Sequence, residues 1–313
     1  KEKDLVFIGP VTSVGNMYLG PFYYYFMLPF LWLSYPSPLG PVYAVALANV
    51  VAVYLIFKFG SQMFDKKVGI ISAFFLALSQ TATIYSRFSW NPNLAPLFGL
   101  LMVYFNWKAL KKPKYWIAVF ASFAVLIQLH YLTLLSAASA GLLWLWQVSQ
   151  YWKNQKKQLK KLLVSTGLGL VLILVSLIPL LLFDYKHDWL NVKAFKDLIF
   201  SSKNFVQASG RLNLWQKLQQ ILWETDGRSM HVLFEISVGK RRNLNRVLVI
   251  ITLACLLWAY KKFNGKKKQA LVVLLAYLGV GIVGTATYQH TIFNHYIAYL
   301  FPITFLIFGV VLG

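Results

Sequence analysis

The chain has 313 residues, of which 58% are hydrophobic, 17% are aromatic and only 13% are charged. A soluble domain carries about a quarter of charged residues, so this composition excludes an ordinary soluble protein. The net charge is +22, but most lysines lie in short clusters between apolar runs, as topology signals of membrane proteins do. The charge therefore indicates a lipid bilayer as partner and excludes nucleic acid.

A series of apolar runs follows, most of them long enough for the roughly 17–25 residues that cross a bilayer. They are Met17–Ser34, Leu39–Phe57, Gly69–Tyr85, Pro92–Trp107, Tyr115–Leu129, Tyr131–Val148, Leu162–Phe183, Leu244–Tyr260, Ala270–Tyr288 and Tyr296–Gly313. The first run is rich in Tyr and is interrupted by Pro21 and Pro29. From its residues alone it either spans the bilayer or lies in the outer interface. The runs predict an all-helical, multi-pass membrane protein.

Four lysine clusters separate these runs. They are Lys58 with Lys66 and Lys67, Lys108–Lys114, Lys153–Lys161 and Lys261–Lys268. Two runs lie between each pair of neighbouring clusters, provided that the chain turns back near His130. Each pair of runs then forms a hairpin, and all four clusters lie on the cytoplasmic side, where positive clusters stay. The predicted outer segments are therefore Ser86–Asn91, the turn near His130, Asp184–Asn243 and Gln289–His295.

The outer loop at residues 184–243 is the only long polar stretch. It carries apolar positions at helical spacing, among them Leu214, Trp215, Leu218, Ile221 and Leu222. This spacing predicts an amphipathic helix that lies on the membrane or over the helical bundle. The loop is short for a separate soluble domain, so residues 1–313 are interpreted as one transmembrane domain.

The first outer segment carries Arg87, Asn91 and Asn93 between two apolar runs. An arginine beside hydrocarbon is costly unless it is paired or reaches the headgroups. One interpretation is an interfacial anchor, with Pro92 starting the next helix. The other is a binding site in which the guanidinium holds a lipid phosphate and the amides bind sugar hydroxyls. The residues alone leave both interpretations open.

The start of the long outer loop, Phe183–Trp189, contains Lys186 and His187 beside carboxylates. A solvated helix cap is the favoured interpretation, and a general base or a phosphate clamp at the outer mouth is the alternative.

The last outer segment contains His290, His295 and Tyr296 at the mouth of the predicted bundle. The five-residue separation of the two histidines is not a recognised zinc spacing, and the sequence has no metal-ligand pattern. A phosphate-binding loop of the nucleotide type is also absent from the sequence, which argues against nucleotide hydrolysis.

Four motifs in order resemble bacterial glycosyltransferase family 39, of the GT-C superfamily, over nearly the whole chain. This family is related to protein O-mannosyltransferases and to the aminoarabinose transferases that modify lipid A. The motifs are Gly9-Pro10 through Gly20-Pro21-Phe22-Tyr23-Tyr24-Tyr25, then Tyr85-Ser-Arg87-Phe-Ser-Trp90-Asn91-Pro92-Asn93, then Phe183-Asp184-Tyr-Lys186-His187, and His295-Tyr296 with Pro302.

The resemblance implies transfer of a sugar from a polyprenyl-phosphate-linked donor to a glycan, lipid or protein at the outer face of the plasma membrane. It implies no firm cofactor and leaves a divalent metal open. It also places residues 1–38 in the first outer loop, with Met17–Ser34 as an interfacial helix, which leaves about nine spanning segments. The candidate substrate-binding residues are Arg87, Trp90, Asn91, Asn93, Lys186, His187, His290, His295, Tyr296 and Tyr24.

The family's general base is an acidic residue in the first outer loop, just after the first membrane helix. The resemblance places that helix and that residue upstream of Lys1, and it treats the chain as a fragment at both ends. Asp4 lies too far downstream to match. Where relatives carry Arg followed by Asp, this chain has Arg87 followed by Asn91, and an amide takes no proton near neutral pH.

Two competing functions remain, a lipid-linked saccharide flippase or transporter and a polysaccharide polymerase or ligase. A transporter carries polar or charged groups in the middle of its spans. Here the runs are nearly free of charge and the polar groups gather at their outer ends, which favours chemistry at one face.

Overall fold

The computed structural model describes residues 5–12, 17–200, 212–235 and 242–313. The described residues are mainly helical, and Val11 and Tyr18 form an isolated bridge between two extended segments. The predicted all-helical membrane fold is therefore confirmed.

The described residues form thirteen α-helices, numbered in chain order. They are α1 (Phe22–Leu33), α2 (Leu39–Met63), α3 (Lys66–Leu78), α4 (Gln80–Tyr85), α5 (Ala95–Ala109), α6 (Trp116–Leu129), α7 (Leu134–Asn154), α8 (Lys156–Lys186), α9 (Leu190–Phe200), α10 (Leu214–Met230), α11 (Arg242–Lys262), α12 (Gly265–Ala286) and α13 (Phe301–Leu312). Short 3₁₀ turns precede four of them. These turns are Asn91–Leu94, Pro113–Tyr115, Tyr131–Thr133 and Asn294–Leu300.

Six helical segments of the described chain are long and apolar enough to cross a membrane. They are Leu39–Met63, Tyr131–Lys153, Lys156–Lys186, Arg242–Lys262, Gly265–Ala286 and Asn294–Leu312. Helix α1 has 12 residues, which makes it about 18 Å long, and the hydrocarbon core is about 30 Å thick. Because α1 is too short to span alone, its length favours the interfacial alternative. The count of about nine spanning segments stays a prediction.

The apolar run Gly69–Tyr85 forms two helices and not one, because the helix breaks at Ser79. The backbone of Ser79 is extended, and its hydroxyl accepts a hydrogen bond from the Ala82 amide at 3.2 Å. A serine that caps the next helix satisfies an amide that the break leaves open. In the sequence, a capping serine inside an apolar run cannot be distinguished from any other small residue.

The core of the bundle lies around α13. Every residue from Phe301 to Val310 is buried, including the hydroxyl-bearing Thr304. The hydroxyl of Thr304 donates to the Val232 carbonyl at 2.9 Å, in the π-helical turn His231–Glu235 that follows α10. A helix that is apolar on all sides belongs inside a bundle.

Contacts gather the lysine clusters at one end of the bundle. Lys267 donates to the Asp65 carboxylate at 2.7 Å, and the Trp107 indole donates to the Lys266 carbonyl at 3.2 Å. The Gln147 amide, near the third cluster, donates to the Ala109 carbonyl at 2.9 Å. The hydrogen bond from Lys267 lowers the pKa of Asp65 below its ordinary value. The hairpin arrangement matches these contacts, and the membrane side of this end stays a prediction.

Close packing at Gly99 sets the position of the last 3₁₀ turn. A Cβ atom added at Gly99 would clash with the carbonyl oxygen of Tyr299 and would lie 3.0 Å from its carbonyl carbon and its Cα, and overpacking of this kind costs about 1–3 kcal/mol. We expect Gly99→Ala to lower the thermal midpoint of the purified protein by several degrees. Gly141→Ala is the matched control, because a Cβ there meets no atom within 4 Å. Equal midpoints for the two variants contradict this packing.

Cysteine labelling tests the topology. In a Cys255→Ser background, we expect an impermeant maleimide to label Arg87→Cys and His290→Cys in intact cells. It should reach Lys112→Cys and Lys157→Cys only after the membrane is opened, because lysine clusters stay cytoplasmic. All four positions are exposed in the fold. Labelling of positions 87 and 290 from opposite sides contradicts the topology.

Candidate functional site

A cavity of about 310 Å³ lies at the end of the bundle opposite the lysine clusters. This volume falls at the lower end of the range for small-molecule sites, roughly 300–1,000 Å³. The wall is mostly apolar and aromatic, with a few polar groups. The lining residues are Val11, Thr12, Met17, Leu19, Trp90, Asn91, Pro92, His130, Tyr131, Leu132, Leu134, Leu135, Phe195, Leu198, Gly284, Thr287, Tyr288, His295 and Tyr296.

Two helix-start turns form one wall of the cavity. The turn Asn91–Leu94 precedes α5, and the turn Tyr131–Thr133 precedes α7. The buried amide of Asn91 donates to the Leu129 carbonyl at 2.6 Å, just before the second turn. This hydrogen bond satisfies the last carbonyl of α6 and fixes the two turns against each other.

His130 lies at the centre of this wall, between α6 and α7. Its Nδ1 accepts a hydrogen bond from the Leu132 amide at 3.1 Å, and its ring lies 4.7 Å from the Tyr296 ring. Burial, with a smaller effect of the neighbouring His295, lowers the pKa of His130 to about 3. The imidazole is therefore neutral near pH 7.

An aromatic cluster around His295 adjoins this wall. The ring of Trp90 lies 4.3 Å from the imidazole of His295, and the rings of Tyr296 and Phe293 lie 4.5 Å and 5.7 Å from it. Three of the predicted site residues, Trp90, His295 and Tyr296, thus meet at the cavity, and Asn91 lies beside them.

The Gly- and Pro-containing N-terminal stretch covers the cavity. The Gly9 amide donates to the Leu19 carbonyl at 2.7 Å, and the Leu19 amide donates to the Pro10 carbonyl at 3.0 Å. The Tyr18 amide donates to Asn191 Oδ1 at 2.6 Å, which ties the stretch to α9. An irregular backbone in a membrane protein has to be buried by protein or to line a cavity, and this one lines the cavity.

Arg87, Asn93 and Tyr24 lie near the cavity but do not line it. Arg87 is exposed, and no side-chain hydrogen bond or ion pair joins it to another described residue. The Asn93 amide is buried and donates to the Phe88 carbonyl at 2.9 Å. Tyr24 is exposed, whereas the hydroxyl of the buried Tyr23 lies 2.5 Å from the Ser89 hydroxyl. The side chains of Tyr23 and Asn93 therefore hold the loop that carries Trp90 through hydrogen bonds.

Lys186, His187 and His290 also lie away from the cavity wall. The ammonium of Lys186 lies 5.8 Å from the Phe7 ring, and His187 stacks on Phe183 at 4.0 Å. His290 is exposed at the rim, next to the Tyr288 ring. The sequence places these residues at the same end of the bundle but does not place their side chains in one site.

Asp184 directly follows the apolar run Leu162–Phe183, and its carboxylate caps α9. Its carboxylate accepts hydrogen bonds from the amides of Asn191 at 2.6 Å and Val192 at 3.1 Å. The cap interpretation of this segment thus fits its geometry, although the carboxylate is buried and not solvated.

Sequence reasoning missed two groups that hold the cavity rim. The guanidinium of Arg228, on α10, donates to the carbonyls of Tyr288 at 3.4 Å and His290 at 3.3 Å. The imidazole of His231 lies 2.7 Å from Asn294 Oδ1. The amphipathic helix was predicted and is confirmed as α10, but its contacts to a rim about 60 residues away leave no local signal.

His130 was named only as a turn residue, and its place in the cavity was also missed. The sequence signal for His130 is a polar ring between two apolar runs. The same pattern led to the prediction of His295. Within the described chain, the cavity wall carries neither a carboxylate nor a cationic Lys or Arg. Among the described residues, no group of three or more His, Cys, Asp or Glu side chains is placed to hold a metal ion.

Solved structures with the same fold include two of ArnT from Cupriavidus metallidurans. The apo form matches with a TM-score of 0.58 and 13% identity, over 94% of this chain and 50% of that chain. The form bound to undecaprenyl phosphate matches with a TM-score of 0.59 and 14% identity, over 94% and 51%.

The archaeal oligosaccharyltransferase AglB from Archaeoglobus fulgidus, in complex with an inhibitory peptide and a dolichol-phosphate, also matches. Its TM-score is 0.58 at 12% identity, over 99% of this chain and 44% of that chain. At such identities the likeness shows the fold alone, and this chain spans about half the length of the chains that it matches. No curated protein matches the chain by sequence.

The model of one protein family matches residues 20–181, which is just over half of the chain. This region includes the Trp90 loop and the His130 turn of the cavity wall. The chain therefore belongs to the dolichyl-phosphate-mannose-protein mannosyltransferase family, a group of GT-C glycosyltransferases, as its resemblance to glycosyltransferase family 39 implied.

Proposed function

We propose that this chain forms the membrane part of a glycosyltransferase. It moves a sugar from a polyprenyl-phosphate-linked donor to a glycan, lipid or protein at the outer face of the plasma membrane. Family membership supports sugar transfer. Structures of the same fold bound to undecaprenyl phosphate and to a dolichol-phosphate support a lipid phosphate as the carrier.

The cavity is the observation that carries this proposal. It brings together Trp90, Asn91, His295 and Tyr296 at the end of the bundle away from the lysine clusters. Since lysine clusters stay in the cytosol, the cavity opens toward the outer face. A partly apolar cavity with a few convergent polar groups is the usual form of a small-molecule site.

Transfer from a lipid phosphate requires two kinds of group. A base takes the proton of the acceptor hydroxyl, and cations stabilise the charge on the leaving phosphate. Arg87 and Lys186 are the proposed cations, because both are exposed at the cavity end. Asn91 cannot be the base, since an amide does not accept a proton near neutral pH.

Trp90 tests whether the cavity is the reaction site. We expect Trp90→Ala to lower the rate of sugar release from an undecaprenyl-phosphate-linked sugar by at least about tenfold, because it removes an aromatic wall worth about 1–3 kcal/mol. Trp152→Ala is the matched control, since Trp152 is exposed at the lysine end. Equal turnover by the two variants contradicts the assignment of the cavity.

Arg87 tests the phosphate end of the site. Arg87→Ala is expected to raise KM for the lipid-linked donor about tenfold, because a charge-assisted hydrogen bond contributes about 1.5–3 kcal/mol. Its thermal midpoint should equal that of the wild type, as Arg87 makes no side-chain hydrogen bond or ion pair within the described residues. An unchanged KM for the lipid-linked donor removes Arg87 from the site.

A further inference from the structure

We infer that His130 is a positioning residue for the sugar of the donor. Its Nε2–H donates to a sugar oxygen at the cavity wall, beside the carbonyl oxygen of Asn91 and the ring of Trp90. This inference rests on the proposed function and names a residue that the sequence motifs did not.

The hydrogen bond at Nδ1 fixes the tautomer of His130. The Leu132 amide donates to Nδ1 at 3.1 Å, so this nitrogen presents its lone pair and carries no proton. In a neutral imidazole the proton then lies on Nε2. No hydrogen bond joins Nε2 to another described residue, and the ring lines the cavity. The cavity wall therefore presents one directed N–H.

His130 stays neutral while it presents its Nε2–H to the cavity. Burial keeps its pKa far below 7, so the ring does not become a cation at the pH of the cell. The described wall has no Lys or Arg, and a buried phosphate without a cation is strongly disfavoured. The cavity is therefore suited to the uncharged part of the donor, with the phosphate outside it near Arg87.

The uncharged parts of the donor are the sugar and the prenyl chain, and the polar groups of the wall decide between them. The side-chain nitrogen of Asn91 donates to the Leu129 carbonyl at 2.6 Å. This leaves the side-chain oxygen Oδ1 of Asn91 as an acceptor at the cavity. A hydrocarbon against His130 and Asn91 would leave the polar groups of both unsatisfied, which is unfavourable in a buried site. Sugar hydroxyls satisfy a donor and an acceptor together, and Trp90 offers an aromatic face for the sugar ring.

Two substitutions separate the positioning role of His130 from its role in the turn. In His130→Gln the amide nitrogen lies as many bonds from Cβ as Nε2 does, so the N–H to the cavity is kept and the bond to Leu132 is lost. In His130→Asn the amide oxygen replaces Nδ1, so the bond to Leu132 is kept and the reach into the cavity is lost.

The test measures binding of two lipids to the full-length protein in nanodiscs. The probes are undecaprenyl phosphate and a panel of its mannosyl, glucosyl and aminoarabinosyl forms. His130→Asn should weaken binding of the preferred sugar lipid about tenfold, the effect of one hydrogen bond, and His130→Gln should weaken it by less than about threefold. Neither variant should change binding of undecaprenyl phosphate.

Other results overturn the inference. If His130→Asn binds the sugar lipid like the wild type and His130→Gln does not, the residue acts only in the turn. If both variants weaken both lipids equally, His130 does not read the sugar. If the wild type binds undecaprenyl phosphate and none of its sugar forms more tightly, the cavity does not hold the sugar. Binding of neither lipid by the wild type refutes the proposed function itself.

Discussion

The hydrogen bond from the Asn91 amide to the Leu129 carbonyl is the contact on which the rest of the site depends. It joins the start of α5 to the end of α6, two helices of different hairpins, at the end of the bundle where the cavity lies. At a membrane boundary an open helix carbonyl has to find a partner, and a buried amide side chain provides it without a charge. Trp90 and His130 are the neighbours of these two residues in the sequence. Their separation is therefore set by the same bond.

The lysine clusters and the cavity lie at opposite ends of the molecule. The lysine clusters meet at one end, where Lys267 pairs with Asp65 and Lys266 accepts from Trp107. The cavity lies at the other end, and its described wall contains neutral polar groups and aromatic rings. A neutral interior suits a ligand whose charge stays outside. In the proposed function, exposed cations near the cavity, such as Arg87, meet the charged part of that ligand without the desolvation that a buried pair requires.

Much of the fold could be predicted from the sequence because membrane insertion imposes local rules. Apolar length, lysine position and helical spacing identified the hairpins and α10, since each of these signals lies within a short segment. The site depends on contacts between distant segments, and it was predicted only in part. Trp90 and His295 are 205 positions apart and meet, whereas His187, at the same end, turns onto Phe183. The turn at His130 was visible in the sequence, but its direction toward the cavity is a property of the packed bundle.

The burial of α13 also constrains the order of assembly. Helices α3 and α5, which pack against this helix, leave the ribosome long before Phe301–Leu312 is made. Until then the faces of α3 and α5 that contact α13 lack this partner. Lipid or a chaperone has to cover them, because an empty apolar gap does not persist in a packed bundle. The turn Asn294–Leu300, which brings His295 to the cavity, reaches its place only with that late insertion. The cavity wall is therefore complete only once the segment Asn294–Leu312 has been made and packed.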